Sequence, residues 1–118
     1  MVLRLALAAL APNVGAWYNS DMRVIALKTL RSFWGRHPST RQALQAWYYD
    51  AKHATWKTPA EIKYVYHNAS LIGRNRVVFN IKGNQYRLVV AVNYEHSIVF
   101  IRFVGSHQEY DRIDAETI

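Results

Sequence analysis

The segment "NRVVFNIKGNQYRLVVAVNY" spans residues 75–94 and decides the fold. From Arg76 onward the apolar residues recur with a period of two, which is typical of a β-strand and not of a helix. Gly83 and Asn84 interrupt this pattern, and both residue types suit a two-residue turn that needs positive φ angles. The sequence therefore predicts a β-hairpin with its tip at Gly83 and Asn84.

This hairpin separates apolar from polar side chains. Counting outward from the turn, Lys82 faces Gln85 and Asn80 faces Arg87, so these four side chains share one face of the sheet. The other face is apolar and holds Phe79, Ile81, Tyr86 and Leu88. The sheet is therefore predicted to be polar on one side near the hairpin tip.

The next strand can be paired through a turn of two residues at 95–96 or of four residues at 94–97. Either turn places Val89 opposite Arg102 and gives a buried face without any polar residue. That face comprises Leu88, Val90, Val92, Val99, Ile101 and Phe103. The same register brings Arg102 diagonally beside Arg87, within reach of a long side chain. Two arginines are thus predicted on one face, and no acidic residue lies in these strands.

The region before the hairpins reads as helical. Residues 23–26 are β-prone, and residues 27–34 repeat apolar side chains at helical spacing until Gly35 and Pro38 stop the element. Three more helices are predicted from capping boxes, in which a hydroxyl residue precedes a Glu or Gln by three positions. The boxes are Ser39 with Gln42, Thr58 with Glu61 and Ser106 with Glu109. The helix from Ser39 to about Thr55 carries an apolar stripe that we assign to the core: Leu44, Trp47, Tyr48 and Ala51.

The predicted fold class is α+β. A short N-terminal strand and two to three helices pack on one face of an antiparallel β-meander, and a short helix follows at the C-terminus. The basic face of the sheet is expected to remain open. Residues 22–118 are interpreted as the domain, and residues 1–21 as an appendage or a mis-set translation start. That appendage contains an apolar run too short to span a bilayer, which takes about 20 residues.

The charge of the chain favours a polyanionic partner. The 118 residues include 15 Lys and Arg against 8 Asp and Glu, which gives a net charge of +7. Twelve of the cations lie in residues 22–94, where Asp50 and Glu61 are the only acids. Such a positive field favours nucleic acid first, and acidic lipid or protein second. Half of the residues are hydrophobic, which excludes a disordered chain.

The residue types exclude several kinds of chemistry. There is no cysteine, so disulfides, thiolate catalysis and Cys-based zinc sites are all excluded. The five histidines lack the short paired spacing of a metal site on a helix, so the sequence predicts no metal and no cofactor. Clustered cations on a sheet can instead hold a phosphate and stabilise the charge that builds on it during reaction. RNA supplies its own nucleophile, the 2′-OH, so cleavage then requires only proton transfer.

The proton-transfer groups are sought in the segment "FVGSHQEYDRI" after the last strand. His107 falls in the first turn of a capped helix, and Tyr110 follows three residues later. Imidazole titrates near neutrality and can serve as an acid or as a base. Position alone favours the interpretation of His107 as an exposed residue of the first helical turn and of Tyr110 as an apolar anchor of the helix. Further RNA contacts are expected from Arg102, Asn80, Arg74, Arg76, Lys57 and Arg112.

Two blocks, "VFNIKGN-YRLV" and "FVG-H-EYD", resemble the HigB-type toxins of bacterial type II toxin-antitoxin modules, within the RelE superfamily. The resemblance runs from about Met22 to Ile118. It implies a RelE-like fold and a metal-free, ribosome-dependent mRNA endonuclease in the cytoplasm. It also implies a HigA-like helix-turn-helix antitoxin that binds the toxin and represses the operon. Operator DNA is then contacted only through the antitoxin, and no membrane is involved.

The resemblance also implies roles for individual residues. Arg87 matches the strand arginine that contacts the scissile phosphate, His107 the group past the last strand that assists catalysis, and Tyr110 a contributing C-terminal tyrosine. Lys82 is expected to support the phosphate charge. Many superfamily members carry two lysines in the strand before the turn. This chain has Val78 and Asn80 at the nearest positions, so the general base is left unassigned.

Two other functions compete with this one. A basic module that binds RNA or the ribosome and blocks translation without cutting would share the charge and the fold. A secreted or membrane-surface basic protein would rest only on the apolar N-terminus.

Overall fold

A five-stranded mixed sheet organises residues 21–118, which are the residues that the computed structural model describes. Its strands are β1 (Arg23–Ile25), β2 (Ser70–Ile72), β3 (Arg76–Ile81), β4 (Tyr86–Asn93) and β5 (Ile98–Ser106). They lie in the order β1-β5-β4-β3-β2, with β1 parallel to β5 and all other neighbours antiparallel. The short strand β2 and the parallel pairing of β1 were not predicted.

Three helices pack on one face of this sheet and confirm the α+β class: α1 (Leu27–Arg36), α2 (Arg41–Lys52) and α3 (Pro59–Val65). A 3₁₀ turn lies at Pro38–Thr40, and the short C-terminal α4 (His107–Tyr110) follows β5 and packs on the other face through Tyr110. The predicted apolar stripe of α2 is confirmed, because Leu44, Trp47 and Ala51 are buried. They join Leu30 and Phe79 in the main core. No helix within residues 21–118 is both long and apolar enough to cross a bilayer.

Two of the three predicted helix starts are confirmed. The hydroxyl of Thr58 accepts a hydrogen bond from the main-chain N–H of Glu61, and Ser106 forms a full capping box with Glu109. The predicted start at Ser39 is wrong. The chain makes a 3₁₀ turn there, and the Thr40 hydroxyl donates to the main-chain oxygen of His37 at 2.7 Å, so α2 begins only at Arg41.

The predicted register of the first hairpin is confirmed. Asn80 pairs with Arg87, and Ile81 pairs with Tyr86. The predicted turn conformation is wrong in one detail, because the positive φ angles fall on Lys82 (53°) and Gly83 (64°) and not on Asn84. Lys82 therefore belongs to the four-residue tip 82–85 and not to the strand.

The predicted register of the second hairpin holds only for its first half. A four-residue turn joins β4 to β5, and the predicted pairs run from Asn93–Ile98 to Val90–Ile101. A β-bulge then shifts the register, and Val89 pairs with Phe103 where Arg102 was predicted. The bulge leaves Arg102 as the extra residue of β5. Its guanidinium carbon lies 5.5 Å from the ring centroid of Phe100, so the arginine packs on the sheet.

The second face of the sheet is not the open basic face that the sequence predicted. The bulge turns Phe103 to this face, where Val78 and Val89 are already buried. The C-terminal segment covers them with Tyr110, Ile113, Ala115 and Ile118. A small second core forms because these strand residues are apolar on both faces. Uncovered polar side chains lie at the hairpin tip, and Arg102 is exposed at the bulge.

The predicted appendage, residues 1–21, falls almost wholly outside the described residues, which begin at Asp21. The predicted domain start at Met22 coincides with a buried side chain of the main core, next to β1. The division of the chain at this point stays a prediction.

Candidate functional site

Arg87 occupies the centre of the polar hairpin tip. Its Nη1 donates to the main-chain oxygen of Asn84 at 2.9 Å and to that of Tyr86 at 3.2 Å. Its Nη2 and Nε make no hydrogen bond within residues 21–118. The side chain is half-buried and therefore held in one orientation. An arginine fixed in this way presents two free donors in the planar arrangement that suits a phosphate.

The end of β5 lies directly beside this tip. Gly105 pairs with Arg87, and the main-chain N–H of His107 donates to the oxygen of Gln85 at 3.1 Å. His107 is thus fixed next to the tip by its main chain, while its imidazole remains exposed. The imidazole Nδ1 lies 3.9 Å from Asp111 Oδ2.

The capping box positions α4 and with it His107. Glu109 N–H donates to Ser106 Oγ at 3.1 Å, and Ser106 N–H donates to Glu109 Oε1 at 2.8 Å. The hydrogen bond from the Ser106 main chain lowers the pKa of Glu109 below its ordinary value of 4.5, and the Ser106 hydroxyl, His37 and Arg112 act in the same direction. Because the folded pKa is the lower one, this cap is fully present above pH 4.5 and is lost as the pH falls through the folded pKa.

The structure brings some predicted site residues together and separates others. Arg87, Lys82, Asn80 and His107 all lie at the hairpin tip or beside it. Arg74 and Arg76 lie at the opposite end of β3, about 20 Å away for six residues of extended chain. Arg76 also donates to the main-chain oxygens of Arg74 and Ile118, so part of its guanidinium is occupied.

The remaining predicted residues lie on other elements. Tyr110 is half-buried and packs into the second core, as expected for an apolar anchor. Arg112 is exposed just after α4, Lys57 is exposed in the loop before α3, and Arg102 lies at the bulge.

A cleft opens on the other side of the tip, away from β5. Its volume is about 380 Å³, and its lining includes Tyr66, His67, Asn80 and Gly83. The Tyr66 hydroxyl donates to Asp50 Oδ2 at 2.8 Å. Burial raises the pKa of Tyr66, and the hydrogen bond and charge of Asp50 raise it further, so the phenol stays protonated.

This geometry shows a second histidine at the tip that the sequence analysis missed. His67 lies on the β2 side of the hairpin, whereas His107 lies on the β5 side. No sequence motif marks His67, because only the pairing of β2 with β3 brings residues 66–69 alongside the tip. His37 was also missed. Its ring stacks on Phe33 at 4.4 Å, lies 5.9 Å from the Tyr86 ring and faces the cap of α4.

Within residues 21–118 no three His, Asp or Glu side chains are grouped so as to hold a metal ion. The described site is therefore built from cations, amides, imidazoles and a tyrosine.

The sequence between residues 40 and 113 matches the family of HigB toxins, described as the RelE-like toxic component of a toxin-antitoxin system. The chain belongs to the HigB toxin family. The matched region includes the hairpin tip, the cleft and α4, and it leaves out β1, α1 and the last five residues. The α+β architecture is accordingly a RelE-like fold. As the toxic component of such a system, a HigB protein has a cognate antitoxin as its partner.

Several relatives support the same family. The mRNA interferase toxin HigB of Escherichia coli strain K12 is 30% identical over 93 residues, which cover 76% of this chain and 88% of the relative. The mRNA interferase HigB of Shigella flexneri matches with the same identity and coverage. The mRNA interferase HigB of Escherichia coli O6:H1 is 24% identical over 94 residues, which cover 78% of this chain and 91% of the relative.

Gly105, which pairs with Arg87 in this HigB-family chain, is closely packed, and a substitution there tests this packing. A Cβ on Gly105 would lie 2.6 Å from Phe103 Cζ and 2.8 Å from Glu109 Oε1, both too close. Gly105→Ala is therefore expected to lower the free energy of unfolding by about 1–3 kcal/mol. Urea titration followed by circular dichroism measures this loss.

The matched control is Gly35→Ala. A Cβ on Gly35 meets no atom within 4 Å, and the residue lies in α1. This control is expected to raise the free energy of unfolding by about 0.5–1 kcal/mol, because alanine is the better helix former. Equal effects at the two glycines would contradict the close packing of Gly105 against the α4 cap.

Proposed function

We propose that this chain is an endoribonuclease that cleaves mRNA on the ribosome through the RNA's own 2′-OH. The observation that carries this proposal is the guanidinium of Arg87, which Asn84 and Tyr86 hold at the hairpin tip with Nη2 and Nε free of partners among residues 21–118. His107 is anchored next to the tip through its main chain, and His67 lines the cleft on the other side. The names of the relatives, mRNA interferases, support the same substrate class.

The chemistry needs a cationic phosphate site and two proton carriers. The 2′ oxygen attacks the phosphorus while the bond to the 5′ oxygen breaks, which leaves a 2′,3′-cyclic phosphate and a free 5′-OH. Arg87 binds the phosphate oxygens, and Lys82 in the adjacent tip adds a second cation. One of His67 and His107 accepts the 2′ proton, and the other protonates the leaving oxygen. Because these imidazoles flank the tip, they can act on opposite sides of one phosphate.

The other predicted residues act around this centre. Tyr110, the last residue of α4, packs into the second core and orients the helix. Asn80 donates its amide toward the RNA. Arg102, Arg112, Lys57, Arg74 and Arg76 bind phosphates of the flanking strand or of the ribosome.

The proposed partner protein is a HigA-like antitoxin with a helix-turn-helix. The toxin is proposed to contact operator DNA only through this antitoxin. The protein is proposed to act in the cytoplasm, without a membrane and without a metal or cofactor. Residues 22–118 are proposed as the active domain.

Mapping mRNA 5′ ends after a pulse of expression tests the proposal. New 5′ ends bearing a hydroxyl are expected in translated messages, and purified protein is expected to need ribosomes to make them. A chain that starts at Met22 is expected to give the same ends. If translation stops and no new ends appear, the protein is a blocker of the ribosome and the proposed reaction is wrong.

A further inference from the structure

Three adjoining cavities meet around Tyr66, on the side of the hairpin tip away from β5. Their volumes are about 380, 200 and 160 Å³. We call this feature the Tyr66 cleft, and it is lined by Asp50, Trp56, Tyr66, His67, Phe79 and Asn80. The smallest of the three cavities also contacts Lys82, and the largest contacts Gly83. The cleft therefore reaches Lys82, the second cation of the phosphate site proposed at the tip.

The walls of the Tyr66 cleft are aromatic. The Tyr66 ring meets the Phe79 ring edge-on at 5.0 Å and the Trp56 ring edge-on at 6.5 Å between centroids. Phe79 and Trp56 are almost fully buried, whereas Tyr66 is partly exposed, so the Tyr66 ring is the one of these three along which a flat ligand can lie. Aromatic side chains beside a cationic groove are the usual partners of unstacked bases in single-stranded RNA.

The polar groups of the cleft include the carboxylate of Asp50, of which one oxygen accepts a hydrogen bond and the other does not. Asp50 Oδ2 accepts the hydrogen bond of Tyr66, but Oδ1 accepts none within residues 21–118. The carboxylate is half-buried and held by the phenol in one orientation. Trp47, which lines the same cavity as Asp50, is almost fully buried, and its indole N–H has no partner among the described residues. The indole nitrogen is itself buried, so the group that the cleft offers to a ligand is the fixed acceptor of Asp50.

The main chain adds further hydrogen-bonding groups. Strand β2 covers the edge of β3 only as far as the pair Ser70–Val78. The outer edge of residues 79–81 has no strand partner and borders the cleft. Because main-chain groups point to alternate edges along a strand, at least one of these three residues turns its N–H and C=O to this edge.

We propose that the Tyr66 cleft receives one unstacked base of the RNA strand whose phosphate lies at the hairpin tip, and that it prefers a base with an exocyclic amino group to uracil. This inference rests on the proposed function for the identity of the ligand. The preference follows from Asp50. An unpaired carboxylate oxygen accepts from the amino group of cytosine or adenine, whereas uracil presents a carbonyl oxygen at the equivalent position.

Titration with mononucleotides tests the cleft without relying on cleavage. The ¹⁵N-labelled full chain is titrated with cytidine 5′-monophosphate and, separately, with uridine 5′-monophosphate. The indole N–H of Trp47 and the amides of residues 66–68 are expected to shift, with cytidine binding at least about fivefold more tightly, the low end for one such contact. Shifts confined to residues 82–87, or equal affinities for both nucleotides, would overturn the proposal.

Two variants test the role of the carboxylate. Asp50→Asn keeps the shape but offers both a donor and an acceptor, so the two nucleotides are expected to bind within about twofold of each other. Tyr66→Phe keeps the aromatic ring but removes the hydroxyl that orients the Asp50 carboxylate, so it is expected to reduce the preference for cytidine over uridine. This variant serves as the test if Asp50→Asn does not fold. Glu95→Gln removes a charge at the far end of β4 and is the matched control. A fivefold preference that survives in both variants would refute the role of Asp50.

The mapped mRNA ends give an independent readout. The parent is expected to show one position near the cut, at a fixed offset, from which uracil is depleted, and Asp50→Asn is expected to restore uracil there. If the nucleotides bind as expected but no new ends form in the parent, the proposed cleavage fails and the base site stands. If ends form with an unchanged base profile in Asp50→Asn, the cleavage stands and the base site fails.

Discussion

Arg87→Ala is expected to lower the rate of mRNA cleavage by about 100- to 1,000-fold, which is the effect of removing one fixed donor to a charged transition state. Growth arrest on expression is expected to disappear with it. The loss should be large because Asn84 and Tyr86 already hold the guanidinium through Nη1, which leaves Nη2 and Nε preorganised for the phosphate. Primer extension on a defined message with purified ribosomes measures the rate.

Two further variants separate charge from geometry. Arg87→Lys keeps the charge but loses the planar pair of donors, so an intermediate rate is expected. Arg23→Ala removes an exposed arginine from β1, whose partner in β5, Ile98, lies at the opposite end of that strand from the tip, and it should leave the rate unchanged. Undiminished growth arrest by Arg87→Ala, at equal protein levels, would rule out Arg87 as the phosphate ligand.

His107→Gln is expected to lower cleavage by about 100-fold or more, because general acid-base catalysis contributes on the order of 10²- to 10⁴-fold. The fold should be retained, since His107 is held through its main-chain N–H to Gln85 and its side chain is exposed. The rate is measured from pH 5 to 9. One limb of the bell-shaped profile is expected to vanish in His107→Gln and the other in His67→Gln.

The matched control for both histidines is His96→Gln. His96 is exposed in the turn that joins β4 to β5, at the far end of β4 from the tip. Its loss should change neither the rate nor the pH profile. If the pH profile of His107→Gln keeps both limbs, the proton transfer belongs to other groups, even if the rate is lower.

The sequence predicted the first hairpin in full register but the second only in half. Around Gly83 the alternation of apolar and polar residues is strict, so one pairing is clearly best. In the run from Ile98 to Val104 only Arg102 is polar, and such a run fits both faces of a sheet equally well. The bulge, and with it the covered second face, depends on how the C-terminal segment packs. Strand β2 and the parallel pairing of β1 were not predicted, because a strand of three residues is too short to show a periodic pattern.

The site residues that a local sequence pattern places could be predicted, whereas those that only tertiary packing brings together could not. Lys82 and Arg87 share the hairpin, and the capping box fixes the start of α4, so these residues could be placed from pattern alone. Arg76 was grouped with them because it lies in the same strand, but six extended residues carry it to the other end of the sheet. His67 and Asp50 reach the site through the packing of α2 and β2 against β3, which no local motif encodes.

The bulge at Arg102 determines which residue of β5 lies opposite Arg87. Continued without the bulge, the pairing of Val90 with Ile101 would place Val104 there. With one extra residue in β5, Gly105 occupies that place, where any larger residue would meet Phe103 and the Glu109 side chain of the α4 cap. The number of residues in β5 therefore determines how α4 is aligned with the tip. The deletion of a single residue in β5 would move every later group by one position.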